Sequence, residues 1–187
     1  MESHGYILNE LANLPIDEKV NFYIFVVNGQ YREPLYEMIQ SNFVNIAQSI
    51  GNHAVIATGT DSKRFTTEVA RQYLGTGNSD ASFTSLLPAL LITNEHPDRL
   101  DEKSLRLIVP LRDAETRFGN LRNFFELLSQ FVRGENNYFI SQFENKSSKL
   151  GIANRIIGLR PGMFGISLNI NELIDWWDKR QAERVSK

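Results

Sequence analysis

The stretch "TSLLPALLIT", residues 84–93, sets a proline on the shoulder of an apolar run. Pro88 has no N–H to give to a β-ladder, so it is excluded from the interior of a central strand. Ala89 to Thr93 nevertheless reads as a buried strand. The conflict disappears if Pro88 stands at the strand's entrance, where no ladder bond is lost. The flanking segments then decide what sheet this strand belongs to.

Upstream, "FYIFVV" (22–27) and "HAVIAT" (53–58) are apolar runs without polar alternation, as expected of strands covered on both faces. Between them Leu35, Met38, Ile39, Phe43, Ile46 and Ile50 recur at helical spacing, with Pro34 at the start and Gly51 at the end. A second helix follows the second strand, with Phe65, Val69, Tyr73 and Leu74 inward, Asp61 or Ser62 as its cap and Gly75 as its stop. Residues 75–82, "GTGNSDAS", read as a mobile loop. Downstream, "NEHPDRLDEKS" is a polar connector. "LRLIVPL" (105–111) is a strand, and Pro110 puts it at an edge or ends it. Leu121, Phe124, Phe125, Leu128, Phe131 and Val132 form one helical stripe over 120–133. Residues 6–14 read as a short amphipathic helix stopped by Pro15. Residues 135–150 read as a loop or linker. Beyond them lie a strand-like "FGISLNI" and a last helix with Leu173, Ile174 and Trp177 on one face.

The first half alternates strand and helix, which favours parallel pairing, while strands 89–93 and 105–111 lack an obvious helix between them and form an antiparallel pair. The fold class is therefore α/β: a central mixed sheet flanked by helices, with a C-terminal strand/helix extension. Three parts are expected: an N-terminal helical segment (1–19), the sheet domain (20–134) and the extension (135–187). A flavodoxin-like or other Rossmann-type sheet is the alternative that element order leaves open.

With "LLPALLIT" before its third core strand and "NGQYREP" (28–34) after its first, the chain resembles the thioredoxin-like fold over residues 20–134. The resemblance implies that Pro88 is the counterpart of the family's cis-proline. It would then face the turn that carries the family's C-x-x-C motif. Here Tyr31, Arg32 and Glu33 stand in that turn, and the chain contains no cysteine. Thiol–disulfide chemistry is thereby excluded, and only the scaffold carries over. The tail "GLRPGMFGISLNINELIDWW" is weakly similar to segments of uncharacterised bacterial signalling and defence proteins, a likeness that implies no activity.

The 187 residues are 42% hydrophobic and carry a net charge of -2, enough to build a core and without the basic excess of a non-specific nucleic-acid binder. Disulfides and thiolate metal sites go with the missing cysteines, and His4, His53 and His96 lack metal-ligand spacing. No metal or cofactor is expected. The N-terminus lacks a secretory pattern and no run approaches the length of a membrane helix, so a cytoplasmic protein without membrane contact is expected.

The candidate sites are few. "TGTDSK" (58–63) lies between a strand and a helix, where Thr60, Lys63 and backbone amides could hold an anion. It lacks a phosphate-loop motif, and helix capping accounts for the same residues. In "NGQYREP", Tyr31 offers stacking, Arg32 an anion-binding fork and Glu33 a carboxylate at the carboxyl end of a strand. A solvated turn is the plainer account. No G-x-S-x-G accompanies His53 or His96, which read as ordinary surface or hydrogen-bonded histidines. The carboxylate pairs Glu95/Asp98 and Asp101/Glu102 read as solvated loop. Trp176, with Arg160, Met163 and Phe164, is a candidate partner contact, while Trp177 reads as core. These features together suggest a non-enzymatic protein-binding or regulatory module, with a protein partner or self-association. A nucleotide or small-anion sensor or hydrolase using 58–63 and 28–34 is the second expectation. Nucleic-acid binding through Arg155, Arg160, Lys179, Arg180 and Arg184 is a third, unsupported by net charge.

Overall fold

The computed structural model describes residues 4–29, 33–75, 81–101, 104, 106–144 and 179. Tyr31, Arg32, Arg155, Arg160, Met163, Phe164, Trp176, Trp177, Arg180 and Arg184, and with them the C-terminal strand and helix, lie outside the described residues.

Five strands make one mixed sheet: β1 (Gly5–Leu8), β2 (Phe22–Val27), β3 (Ala54–Gly59), β4 (Ala89–Thr93) and β5 (Arg106–Pro110), in the order β1-β3-β2-β4-β5. β1, β3 and β2 run parallel, and β4 is antiparallel to both β2 and β5. The helices are α1 (Pro34–Ser41), α2 (Phe43–Ile50), α3 (Ser62–Leu74), α4 (Ala81–Thr84), α5 (Leu111–Phe118), α6 (Leu121–Arg133) and α7 (Tyr138–Glu144). The expected α/β class is observed. Every residue of β2, β3, β4 and β5 is buried, so their side chains alternate between two cores instead of between core and solvent. On one face Phe22, Ile24, Val26, Ile56, Leu90 and Ile92 pack under α1, α2, α5, α6 and α7. On the other, Tyr23, Phe25, Val27, Val55 and Leu91 pack under α3 and α4.

Pro88 directly precedes β4, whose ladder starts at Ala89 opposite Val27 and Pro110. The Leu87–Pro88 peptide is cis, as the resemblance implied. Pro110 ends β5, an edge strand.

Four expectations are corrected. Residues 6–14 are not a helix: β1 occupies 5–8 and a 3-10 turn occupies Leu11–Asn13. Four residues fit either period, and pairing with the β3 edge decides between them. Gly5 is what lets β1 sit there, because a Cβ at that position would fall 2.6 Å from the Ala47 Cβ of α2. The helix expected over 34–50 is two helices. Asn42 donates from Nδ2 to the Met38 carbonyl (2.8 Å), a local bond that competes with helix continuation. Leu111 begins α5 instead of closing a strand, since Pro110 ends the ladder. The expected linker at 135–150 contains α7, whose Phe139 ring packs on Phe118, Phe124 and Phe131. No described helix is long and apolar enough to cross a membrane.

Candidate functional site

The mixed topology gathers four of the sequence candidates at one end of the sheet. β2 and β3 finish there, β4 starts there and β5 finishes there. At this end β2 is tied down by Thr66 of α3. The Asn28 N–H donates to Thr66 Oγ1, and that hydroxyl donates back to the Asn28 carbonyl, both at 2.8 Å. Gly29 follows, so close to Leu87 that a Cβ would fall 2.8 Å from Leu87 Cδ1. Pro88 is buried, and its carbonyl accepts the first N–H of α5, from Leu111, at 2.8 Å. The next residue, Arg112, reaches Glu33 at 3.1 Å. Glu33 is the N-cap residue of α1, and its side chain is 10% exposed against 61% for Arg112. A pair so open on one side contributes no more than about 1 kcal/mol. Its effect is to engage the Glu33 carboxylate, which makes Glu33 a structural partner of α5 more than a free ligand group. Arg112 and α5 were not foreseen, because the strand reading stopped at Leu111 and residues 112–119 were assigned to no element.

The 58–63 turn is likewise occupied by its own contacts. The Thr60 N–H donates to the Leu8 carbonyl (2.9 Å) and its hydroxyl to Asn9 Oδ1 (2.9 Å). The Asp61 carboxylate accepts the Arg64 N–H at 3.0 Å. An acid already seated on the start of α3 repels a second anion at that place. Lys63 is exposed on the first turn. Behind this turn lies a polar trio of buried Thr58, buried Tyr36 and exposed Gln40. Thr58 Oγ1 and the Tyr36 hydroxyl are 3.1 Å apart, and Gln40 Nε2 donates to both at 3.2 and 2.6 Å.

At the opposite end of the sheet, a cavity of about 190 Å³ is lined by Asp17, Glu18, Tyr23, Glu95, His96 and Arg99. Its polar groups hold the N-terminal segment onto the 94–101 connector. His96 is buried; its Nδ1 accepts from the Asp98 N–H (3.2 Å) and its Nε2 donates to the Leu14 carbonyl (3.1 Å). Both ring nitrogens are thus committed to backbone, which removes His96 as a general base. Arg99 pairs with Glu18 at 3.1 Å. The Tyr23 and Tyr73 phenols are both held above the ordinary tyrosine range, by burial first. Burial also lowers the Arg106 pKa; its Nε has no hydrogen-bond partner among the described residues, and its Nη2 donates to the Asp101 carbonyl at 2.8 Å. Among the described residues no group of three or more histidines and carboxylates is placed to hold a metal ion.

A second concavity lies elsewhere, on the helical face. A groove of about 600 Å³ runs between α1 and α2 on one side and α6 on the other. Ile39, Ile46, Leu121 and Phe125 give it an apolar floor, and Met38, 42% exposed, overhangs it. The Ser49 and Ser129 hydroxyls, 3.2 Å apart, bridge its walls. On the α6 rim, Arg133 is paired with Glu135 (2.8 Å), while Arg122 is exposed and has no ion-pair partner among the described residues. None of the described sequence candidates, Glu33, Thr60, Lys63 and Pro88, lines this groove.

Comparison of the chain with known protein families, with curated proteins and with solved structures finds no match in any of the three.

Proposed function

We propose that this chain is a non-enzymatic protein-binding module on a cysteine-free, redox-inactive thioredoxin-like scaffold, and that it receives an amphipathic helix in the groove between α2 and α6. The scaffold reading is supported by the mixed sheet, by the antiparallel β4–β5 pair and by the place of Pro88 at the mouth of β4. The observation that carries the binding reading is the groove itself. It is apolar at its floor, polar at its rim and closed by a serine bridge, the form that suits helix-in-groove recognition. Helical spacing of apolar residues on the partner would fill the floor, and an acidic residue beside them would meet Arg122. The anion-sensor reading gains nothing from the 58–63 turn, where Asp61 holds the helix start.

The test is capture of binding proteins on the wild-type chain and on Met38→Glu, followed by titration of each purified partner. Met38 is exposed, so the variant keeps its fold while placing a charge over the apolar floor. A partner retained by the wild type and lost on Met38→Glu supports the reading. Partners bound equally by both, or none bound specifically, count against it. A thermal-shift screen with nucleotides addresses the sensor reading, and stabilisation abolished by Lys63→Ala would favour it instead.

A further inference from the structure

We infer that β1, the bare edge of the sheet, pairs with β1 of a second copy of this chain, antiparallel across a two-fold axis, so that two sheets join into one. This surface is separate from the groove, and the inference stands without it. Three observations carry it.

The first is the hydrogen-bonding edge. The His4 and Leu8 carbonyls accept from the N–H groups of Ile56 and Thr60, each at 2.9 Å. Alternate residues of a parallel ladder point to the neighbouring strand. Gly5 and Ile7 therefore turn their N–H and C=O groups outward, where they meet no partner among the described residues. The other edge strand, β5, is buried along its length and ends in Pro110, whereas β1 carries neither the proline nor the charge that shields an edge. The second is apolar surface beside that edge. Ile7 is 62% exposed and Val44 61%. Ile7 shares a sheet face with Gly5, and that face lies under α2, where a Cβ on Gly5 would fall 2.6 Å from Ala47 Cβ. Asn42, Asn45, Ile46 and Ser49 turn one flank of α2 to the groove. At about 100° per residue Val44 falls on the far flank, toward the β1 edge. The third is electrostatic. Two identical surfaces meet without penalty only where no charge faces its own copy. The β1 stretch "GYIL" and the α2 stretch "FVNIAQSI" hold no charged residue, and beyond Leu8 the Glu10 and Glu68 carboxylates are already held by Arg64.

An edge that offers donors and acceptors in alternation fits its own copy. Pairing centred on Tyr6 sets Gly5 of each copy opposite Ile7 of the other, and each such pair exchanges both N–H···O=C bonds. Each Ile7 side chain then lies beside a glycine without a Cβ, toward the second copy's Val44. The two Tyr6 rings meet on the opposite face as a cross-strand aromatic pair. A strand this short makes less than a standard interface, so the dimer should dissociate on the order of 100 μM or tighter.

The experiment combines sedimentation of the full chain up to about 1 mM with amide hydrogen exchange at low and high concentration. It compares the wild type with Ile7→Lys, Val44→Lys and the groove variant Met38→Lys, all at exposed positions, with far-UV circular dichroism confirming the fold. The expected result is a concentration-dependent dimer in the wild type and in Met38→Lys, with exchange at Gly5 and Ile7 slowing as the dimer fills. Ile7→Lys and Val44→Lys should each weaken it about tenfold or more, since each substitution acts twice across the axis. A chain that stays monomeric to about 1 mM overturns the inference. So does a dimer lost in Met38→Lys and kept in Ile7→Lys, which assigns the contact to the groove. Protection of Gly5 and Ile7 that is the same at every concentration means that the edge is covered within one molecule, and also overturns it.

Discussion

Thr66 should be the most consequential single hydroxyl in the protein. It is fully buried on α3, and its Oγ1 both accepts from and donates to the backbone of Asn28, itself 1% exposed, at 2.8 Å each way. Thr66→Val preserves shape and β-branching and removes both bonds. A hydrogen bond is worth about 1 kcal/mol net, and a buried backbone group deprived of its partner costs about 1–3 kcal/mol. The methyl that replaces the hydroxyl returns about 0.8 kcal/mol of burial. The balance is a loss of about 3 kcal/mol, or a fall in Tm of about 6–12 °C for a chain of this size. Thr66→Ser keeps the hydroxyl and loses one methyl, so it should cost about 1 kcal/mol. Urea denaturation followed by circular dichroism measures all three proteins. The reasoning fails if Thr66→Val lies within about 0.5 kcal/mol of wild type, or if Thr66→Ser is as damaging as Thr66→Val.

Three further outcomes are expected. Burial holds the Tyr73 phenol above its ordinary value of about 10, so the folded protein keeps a proton that the unfolded chain gives up. That contribution to stability is complete below about pH 10 and is lost as the pH rises beyond it. Tyr73→Phe should cost about 1 kcal/mol at neutral pH through its lost bond to the Glu95 carbonyl, and should flatten the alkaline fall in urea midpoint; parallel curves would contradict the assignment. Gly59→Ala should destabilise by about 3 kcal/mol or abolish folding, because its Cβ would fall 2.2 Å from Phe65 Cβ and 2.9 Å from the Asp61 carbonyl. A well-folded variant at wild-type Tm would show that the β3–α3 turn yields easily. Asp61→Ala should cost about 1 kcal/mol through loss of the α3 cap. A phosphate-dependent rise in Tm for that variant, absent in wild type, would show that only Asp61 keeps anions from the helix start.

The parts of this fold legible in the chain were those whose pattern no tertiary contact overrides. Continuous apolar runs at 22–27 and 89–93 can only be strands covered on both faces, and α6 carries its own cap in Asn120, its stripe of phenylalanines and its stop in Gly134. What misled were segments whose local preference is weak. Gly5–Leu8 fits a helix or a strand until the β3 edge is there to pair with. Leu111–Phe118 contains Arg112, Asp113, Glu115 and Arg117, charges that hide its sparse apolar stripe. It becomes a helix because Leu111, Ala114 and Phe118 find the apolar face left by β5 and α6. Tyr138–Glu144 is short and set in a mostly polar stretch, and its helix rests on Phe139 entering an aromatic cluster that the linear sequence does not display.

The candidate site shows the same division more sharply. Reasoning from strand ends found Glu33, Thr60, Lys63 and Pro88, and the structure does bring them to one end of the sheet. Their chemistry, however, is spent on the fold: Glu33 on Arg112, Thr60 on Leu8 and Asn9, the Pro88 carbonyl on Leu111. The groove escaped notice because no stretch of chain contains it. Its walls meet through Ser49 and Ser129, 80 positions apart, and its floor uses Ile39, Ile46 and Phe125, which any reading of periodicity assigns to core. Exposed Met38 on α1 and Arg122 on α6 were the available signals, each ordinary by itself. They become informative only together, across a gap whose width is set by how α2 and α6 pack on the sheet. The proposed reading places recognition in the helical layer, at the apolar gap between helices, because the described strand-end groups Glu33, Thr60 and Pro88 bond within the fold. Substitutions at Glu33 or Lys63 should therefore leave partner binding intact while Met38→Glu removes it, and the reverse pattern would return the binding site to the strand ends.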